Sequence, residues 1–275
     1  MTIAPERAIT GEDGPPPVST NWPVVVLATV VVALLGSGLI WLAIRGSNDH
    51  VDSGDRINGS GNVITQARSV SGFDGVTLMS GGRLLITQGT EESLTIETDD
   101  NLMSYLKTVV SDGTLGISAE KDGISYSLDP SEDIVFRIGV IELNDLTVFG
   151  GGDIEMDTLS TTGLDLEILG AADVEIDNLT ADQLRIDVPG ASNIKLAGAV
   201  LNQDVRWLGA GTYSGGDLRT ETAVVSVMGA ATVEVWAVDS LDITITGAGT
   251  VNYYGTPTVN QSLTGFGTVR GLGPK

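Results

Sequence analysis

The sequence predicts an all-β protein, a parallel β-solenoid with coils of about 20 residues, preceded by one transmembrane α-helix. Three observations carry this reading. Residues 23–44 form an apolar run without a charge, a glycine returns at nearly constant intervals from 150 to 265, and apolar and polar residues alternate around each of those glycines.

Composition removes several function classes. The 275 residues hold 14 Lys and Arg against 36 Asp and Glu, one His and no Cys, for a net charge of −22. Without cysteine there is neither a disulfide framework nor a thiolate nucleophile or zinc ligand. A chain this acidic repels phosphate backbones, so nucleic acid is not a partner. His50 alone cannot supply a multi-histidine metal site, and it leaves little room for Ser-His-Asp catalysis.

Taken in order, residues 1–22 are polar, contain the Pro15-Pro16-Pro17 run and read as a disordered tail. Residues 23–45 read as a membrane span. At 1.5 Å per residue the run covers roughly 30 Å, the thickness of the hydrocarbon layer. Trp22 and Trp41 stand near its ends, where indoles favour the headgroup zone. A buried core helix would carry a polar face, and a signal peptide a basic start and a shorter apolar run. The N-terminal side of the span offers Arg7, and its C-terminal side offers Arg45, the last residue of the span, and Arg56. This asymmetry leans toward a cytoplasmic C-terminal domain, but long domains cross largely regardless of charge. The 230 residues after the span, with 12 basic and 33 acidic side chains, are therefore placed outside the cell. Residues 46–62 are rich in Gly, Ser, Asn and Asp and read as a flexible stalk, in which His50 is simply solvated.

From 63 to 145 the chain is strand-rich but less regular. VTLMSGGRLLI (76–86), SLTIETDD (93–100), TLGISA (114–119) and DIVFRIGV (133–140) read as strands. NLMSYLK (101–107) reads as one or two helical turns with Asp99 or Asp100 as N-cap. The segment is taken as the start of the solenoid with an inserted helix, a separate small β-domain being the alternative.

The regular repeats begin at 146, with glycines at 150, 170, 190, 209, 229, 247 and 265. Two residues before each stand Val148, Ile168, Val188, Trp207, Val227, Ile245 and Leu263; four after stand Ile154, Val174, Ile194, Tyr213, Val233, Val251 and Val269. The period-two pattern predicts strands with these residues inside. The Gly-Ala or Gly-Gly centre is expected to break the alternation and turn the chain through positive φ. A coil this short cannot hold a βαβ unit or a propeller blade, so coils must stack and hide their apolar faces against one another. The domain is therefore 63–275, with regular repeats from 146.

RSVSGFDGVTL (68–78), LLITQGTEESLTIETDDNL (84–102) and LKTVVSDGTLGIS (106–118), followed by the glycine-centred repeats, resemble the putative auto-transporter adhesin head GIN domain family of bacterial surface proteins. The resemblance covers about 63–270. It implies a right-handed parallel β-helix on a bacterial cell surface and brings no catalytic motif with it.

The sharpest candidate for chemistry is an acidic ladder. Stacking coils places Asp153, Glu155 and Asp157 under Asp173, Glu175 and Asp177, about 5 Å apart, where calcium would relieve the repulsion. The competing reading is six solvated surface carboxylates. Arg185 is expected between Asp165 and Asp204, and Arg206 beside Asp187. Thr212, Thr232, Thr250 and Thr268 form a second, structural row. Gly265, Gly267 and Gly271 do not have the spacing of a dinucleotide fingerprint. No catalytic or cofactor-binding residue is assigned.

The expected function is that of a single-pass cell-membrane protein whose extracytoplasmic domain, 46–275, acts without catalysis in adhesion, surface interaction or envelope scaffolding. Its partners would be the membrane itself and surface glycans or proteins. The alternatives are a carbohydrate-active β-helix enzyme and an extracytoplasmic sensor domain.

Overall fold

The computed structural model describes residues 56–275, which belong to one compact unit. The expected tail 1–22, the membrane span 23–45 and the first part of the stalk lie outside the described residues. Among the described residues no helix is long and apolar enough to cross a membrane.

The architecture is an all-β solenoid. Strands Gly75–Leu78 and Gly82–Gln88 form its first described coil. The next coil comes from Asp145–Val148 and Gly151–Met156, which lie parallel on the first pair in register, Leu78 against Val148 and Leu84 against Ile154. Each later coil repeats this step: Ile154 pairs with Val174, Val174 with Ile194, Ile194 with Tyr213, Tyr213 with Val233, Val233 with Val251 and Val251 with Val269. The apolar columns named from the alternation thus run down the inside, and all but the last members are fully or almost fully buried.

The glycines work differently from the expectation. Alternation passes through the corner in phase: Val148 is buried, Phe149 exposed, Gly151 exposed and Ile154 buried. Of the seven column glycines only Gly247 and Gly265 have positive φ. What excludes a side chain at the others is the neighbouring coil. A Cβ on Gly170 would lie 1.9 Å from the Gly150 carbonyl oxygen, on Gly190 2.0 Å from that of Gly170, and on Gly209 1.6 Å from that of Gly190. Those carbonyls accept from the residue after the next glycine, Ala171 N to Gly150 O at 3.0 Å and Ala191 N to Gly170 O at 3.1 Å. The coils meet so closely there that only hydrogen fits.

The insertion at the start of the domain is strand, not helix. In chain order Ser93–Asp99, Leu106–Ser111, Thr114–Lys121 and Val135–Val140 come between the first two coils. They stack on the far side of the first, Thr114–Lys121 parallel to Gly75–Leu78 and Val135–Val140 parallel to Gly82–Gln88. Ser93–Asp99 lies antiparallel between Val63–Arg68 and Val135–Val140, and Leu106–Ser111 pairs antiparallel with Thr114–Lys121. The expected helix shrinks to a single 3-10 turn at Met103–Tyr105, whose N-cap is Leu102. Asp99 does not cap it, because its carboxylate accepts from Gly61 N at 2.7 Å, Ser131 N at 2.8 Å and Ser131 Oγ at 2.6 Å.

The same contacts tie down residues 56–62, which composition places in the flexible stalk. Arg56–Asn58 pairs parallel with Ser127–Asp129, and Ser60 Oγ donates to Asp100 at 2.5 Å. Three acceptors gathered at Asp99, Asp100 and Asn101 satisfy the donors of Ser60 and Gly61 in a glycine-rich connection that has few side chains of its own to pack.

One coil carries its aromatics inward. Trp207 and Tyr213 are both 0% exposed, and a Cβ on Gly215 would strike the Tyr213 ring, so that glycine is the space the tyrosine occupies. The Tyr213 hydroxyl accepts from Gln203 Nε2, and Thr220 Oγ1 donates to Gln203 Oε1 at 3.2 Å. Burial pushes the Tyr213 hydroxyl well above the ordinary phenol range.

Candidate functional site

The acidic ladder forms as the register requires, in part. Asp153 pairs with Asp173 and Glu155 with Glu175 on one sheet face. Asp157 and Asp177 fall beyond that face, at a corner where two successive residues are exposed. The ladder is also bounded by cations and amides. Arg83, in the coil below, donates to Glu155 Oε1 from Nη2 at 2.6 Å and from Nε at 3.1 Å. Lys195, in the coil above, meets Glu175 at 2.5 Å, and Asn193 Nδ2 donates to Asp173 at 2.9 Å. The Glu175 partner raises the Lys195 ammonium above its usual value. A cation at each end of the ladder thus removes much of the repulsion that a bound metal ion would otherwise relieve. Among the described residues no group of three or more Asp, Glu or His side chains is arranged to hold a metal ion. The ladder lines a depression of about 390 Å³ that also includes Thr212 and Ser214.

The flanking face behaves as the spacing predicts. Arg185 stands between Asp165 and Asp204, and Arg206 beside Asp187. Glu167 is raised above the usual carboxylate range by burial and then by Asp187 and Asp165, with Arg185 opposing. Asp145 is raised by burial, then by Asp165 and Asp74. The threonine row Thr212, Thr232, Thr250 and Thr268 is in register on the surface.

The alternation pattern did not single out the most extended surface feature. Met79, before Ser80 in the first coil, and Phe149, Leu169, Pro189, Leu208 and Met228, each immediately before a column glycine, stand one per coil in six successive coils, and all point outward. Pro189 is exposed, and the other five are between 38% and 52% exposed. Ala171, Ala191, Ala210 and Ala230, just after the glycines, are exposed as well. At about 4.8 Å per coil the six large side chains make a ridge roughly 24 Å long. The signal was in the sequence, as a large apolar residue directly before each of five glycines from 150 to 229, but those positions have outward parity. The ridge exists because the glycine keeps the strand phase through the corner, so its predecessor must face water. Contiguous exposed apolar surface of this kind marks a contact site.

Comparison with known proteins places this geometry. A family model described as "Putative auto-transporter adhesin, head GIN domain" matches residues 72–257. The chain belongs to this family. Among solved structures, the head GIN domain here is similar to a putative adhesin from Bacteroides fragilis NCTC 9343, with 26% identity and a TM-score of 0.71, over 78% of this chain and 100% of that one. It shares its fold with a putative adhesin from Parabacteroides distasonis ATCC 8503, with 21% identity and a TM-score of 0.61, over 79% and 100% of the two chains. The fold also matches a putative lipid binding protein from the same organism, with 23% identity and a TM-score of 0.59, over 79% and 100%. No curated protein matches the chain. The head GIN match ends at 257, so the last coil, Thr258–Gly265 and Thr268–Gly273, lies beyond it.

Proposed function

We propose that this chain is a cell-surface contact protein: a head GIN solenoid held outside the cell by a membrane span at 23–45 and acting in adhesion or envelope scaffolding without catalysis. The observation that carries the reading is the apolar ridge from Met79 to Met228. A column of large side chains repeated once per coil suits an extended partner surface, and weak contacts repeated along one rigid body add up through effective concentration. Right-handed coiling is part of the same reading, since parallel crossovers almost always take that hand.

The apolar run 23–44 and the adhesin names of the solved relatives support surface placement. Against catalysis stands the character of the depression at the acidic ladder, whose Glu155 and Glu175 are engaged by Arg83 and Lys195.

Two measurements test the proposal. Protease added to intact cells should remove the domain while a cytoplasmic marker survives; protection until lysis would overturn the outside placement. Replacing Phe149 and Leu208 together by Glu should abolish adhesion of cells displaying the protein while leaving the melting temperature within a few degrees, because both side chains are about half exposed already. Undiminished adhesion would overturn the ridge as the contact surface.

A further inference from the structure

The two ends of the solenoid are not alike. At the N-terminal end the parallel coils are followed by antiparallel strands, Val63–Arg68 on Ser93–Asp99 and Leu106–Ser111 on Thr114–Lys121. Such departures from the coil register are a usual way to blunt a sheet edge. At the other end the parallel register runs straight to the last coil. Thr258–Gly265 pairs only with the strand below it, Leu241 against Val259 and Ile245 against Leu263. Thr268–Gly273 likewise pairs only with the strand below, Val251 against Val269. Among the described residues nothing pairs with the outer edges of these two strands.

The interior is open there too. Ile245 is 0% exposed, whereas Leu263, directly above it in the same inward column, is 44% exposed. Val259 and Val269 are only partly buried, although Leu241 and Val251 beneath them are fully buried. Phe266, at the corner of this coil, is 92% exposed. A solenoid end of this kind normally carries a polar cap.

Charge says what covers it. From 243 to 275 there is no Asp or Glu, and the only charged side chains are Arg270 and Lys275. Lys275 is already engaged, 2.5 Å from Asp217 and 4.7 Å from the centre of the Tyr254 ring. Two copies of an acidic domain repel each other over most of their surface. Ridge-to-ridge contact would bring together the columns holding Asp153 and Asp173 on one side and Glu167 and Asp187 on the other. Among the described residues, the last coil is the end at which two copies can meet without opposing carboxylates.

We propose that this C-terminal coil is a self-association surface, joining two copies end to end through the free edges of Thr258–Gly265 and Thr268–Gly273, with Leu263 and Phe266 covered in the contact. Because the opposite end has antiparallel strands and different chemistry, the pairing is tail to tail and closes at a dimer, as an isologous twofold contact does. It stands independently of whether residues 23–45 cross a membrane.

The test uses the full-length chain in mild detergent. Sedimentation velocity over a wide concentration range should show a reversible dimer. Leu263→Glu and Phe266→Glu should each weaken it by about tenfold or more; the second side chain is so exposed that its replacement leaves folding intact. The chain has no cysteine, so single introduced thiols report the geometry. Thr264→Cys should cross-link with a short bis-maleimide, and Thr65→Cys at the opposite end and Ala210→Cys beside the ridge should not. A monomer at every concentration, a dimer that survives both glutamates, or cross-linking at 65 or 210 in place of 264 would each overturn the proposal.

Discussion

Replacing Gly209 by alanine would place a methyl carbon 1.6 Å from the carbonyl oxygen of Gly190 and 2.9 Å from that of Pro189. A comfortable carbon–oxygen contact is roughly twice the shorter distance, so the coils must separate by more than an ångström at this corner. Both partners are backbone, and neither can rotate away as a side chain would. Separation stretches the Ala210 N to Gly190 O bond, already 3.3 Å, beyond hydrogen-bonding range. Overpacking strain of about 1–3 kcal/mol plus a backbone hydrogen bond of about 1 kcal/mol gives a loss of about 3 kcal/mol. With a urea dependence of about 3 kcal/mol per molar, the midpoint falls by about 1 M. Fluorescence of Trp207 and Trp236, the two tryptophans of residues 46–275, follows the transition in that segment expressed alone. Asparagine separates the two explanations for the glycine. It tolerates positive φ but carries a Cβ, so Gly209→Asn should be as damaging as Gly209→Ala. At Gly113, where φ is +78° and the nearest atom to a Cβ is Asp74 Oδ1 at 3.1 Å, asparagine should be better tolerated than alanine. A Gly209→Ala midpoint within about 0.2 M of the parent, or recovery by asparagine, would refute close approach as the reason for the column.

Tyr213→Phe should cost about 1–3 kcal/mol in the same assay, because it leaves the Gln203 amide without its acceptor inside the coil. Acid should act in two opposed steps. The Glu167 carboxyl is raised in the folded state by burial and then by Asp187, so protonating it as pH falls adds stability. Asp99 is lowered by the Ser131 side chain and backbone, and Asp100 by Ser60 and then Asn62. Their contribution is present above the ordinary value of 3.8 and is lost as pH falls through their lower folded values. Protection of the Gly61 and Ser131 amides, taken relative to the intrinsic exchange rate at each pH, should therefore fall only at the acid end; protection already lost at neutral pH would contradict the assignment. Millimolar calcium should leave the melting temperature unchanged, since Arg83 and Lys195 already engage the ladder, and a rise of several degrees would establish a bound cation.

How much of this was legible beforehand differs from element to element. Arg185 could be placed between Asp165 and Asp204 from spacing alone, because a parallel register carries each residue onto its equivalent one coil away. The strands at 76–86 and 133–140 were visible as alternating runs, yet nothing local said that Leu84 would lie between Phe136 and Ile154. The helix expected at 101–107 failed for a tertiary reason: Asp99 accepts from Gly61 and Ser131, across the fold, and is not free to cap a helix. The acidic ladder was legible as a column of carboxylates but not as one bounded by Arg83, which comes from a coil 72 residues earlier in the chain.

The sequence by itself determined the period and the phase, and so the stacked coils, the inward aliphatic columns and the charge that rules out whole classes of partner. Both are local properties, set by the two-residue repeat of a strand and by where a glycine recurs. Only the tertiary structure decided why those glycines are glycines, which outward column is an apolar ridge, and which end of the stack is left uncovered among the described residues. Each of these depends on the distance between coils, a separation across the stack that neighbouring letters along the chain do not encode.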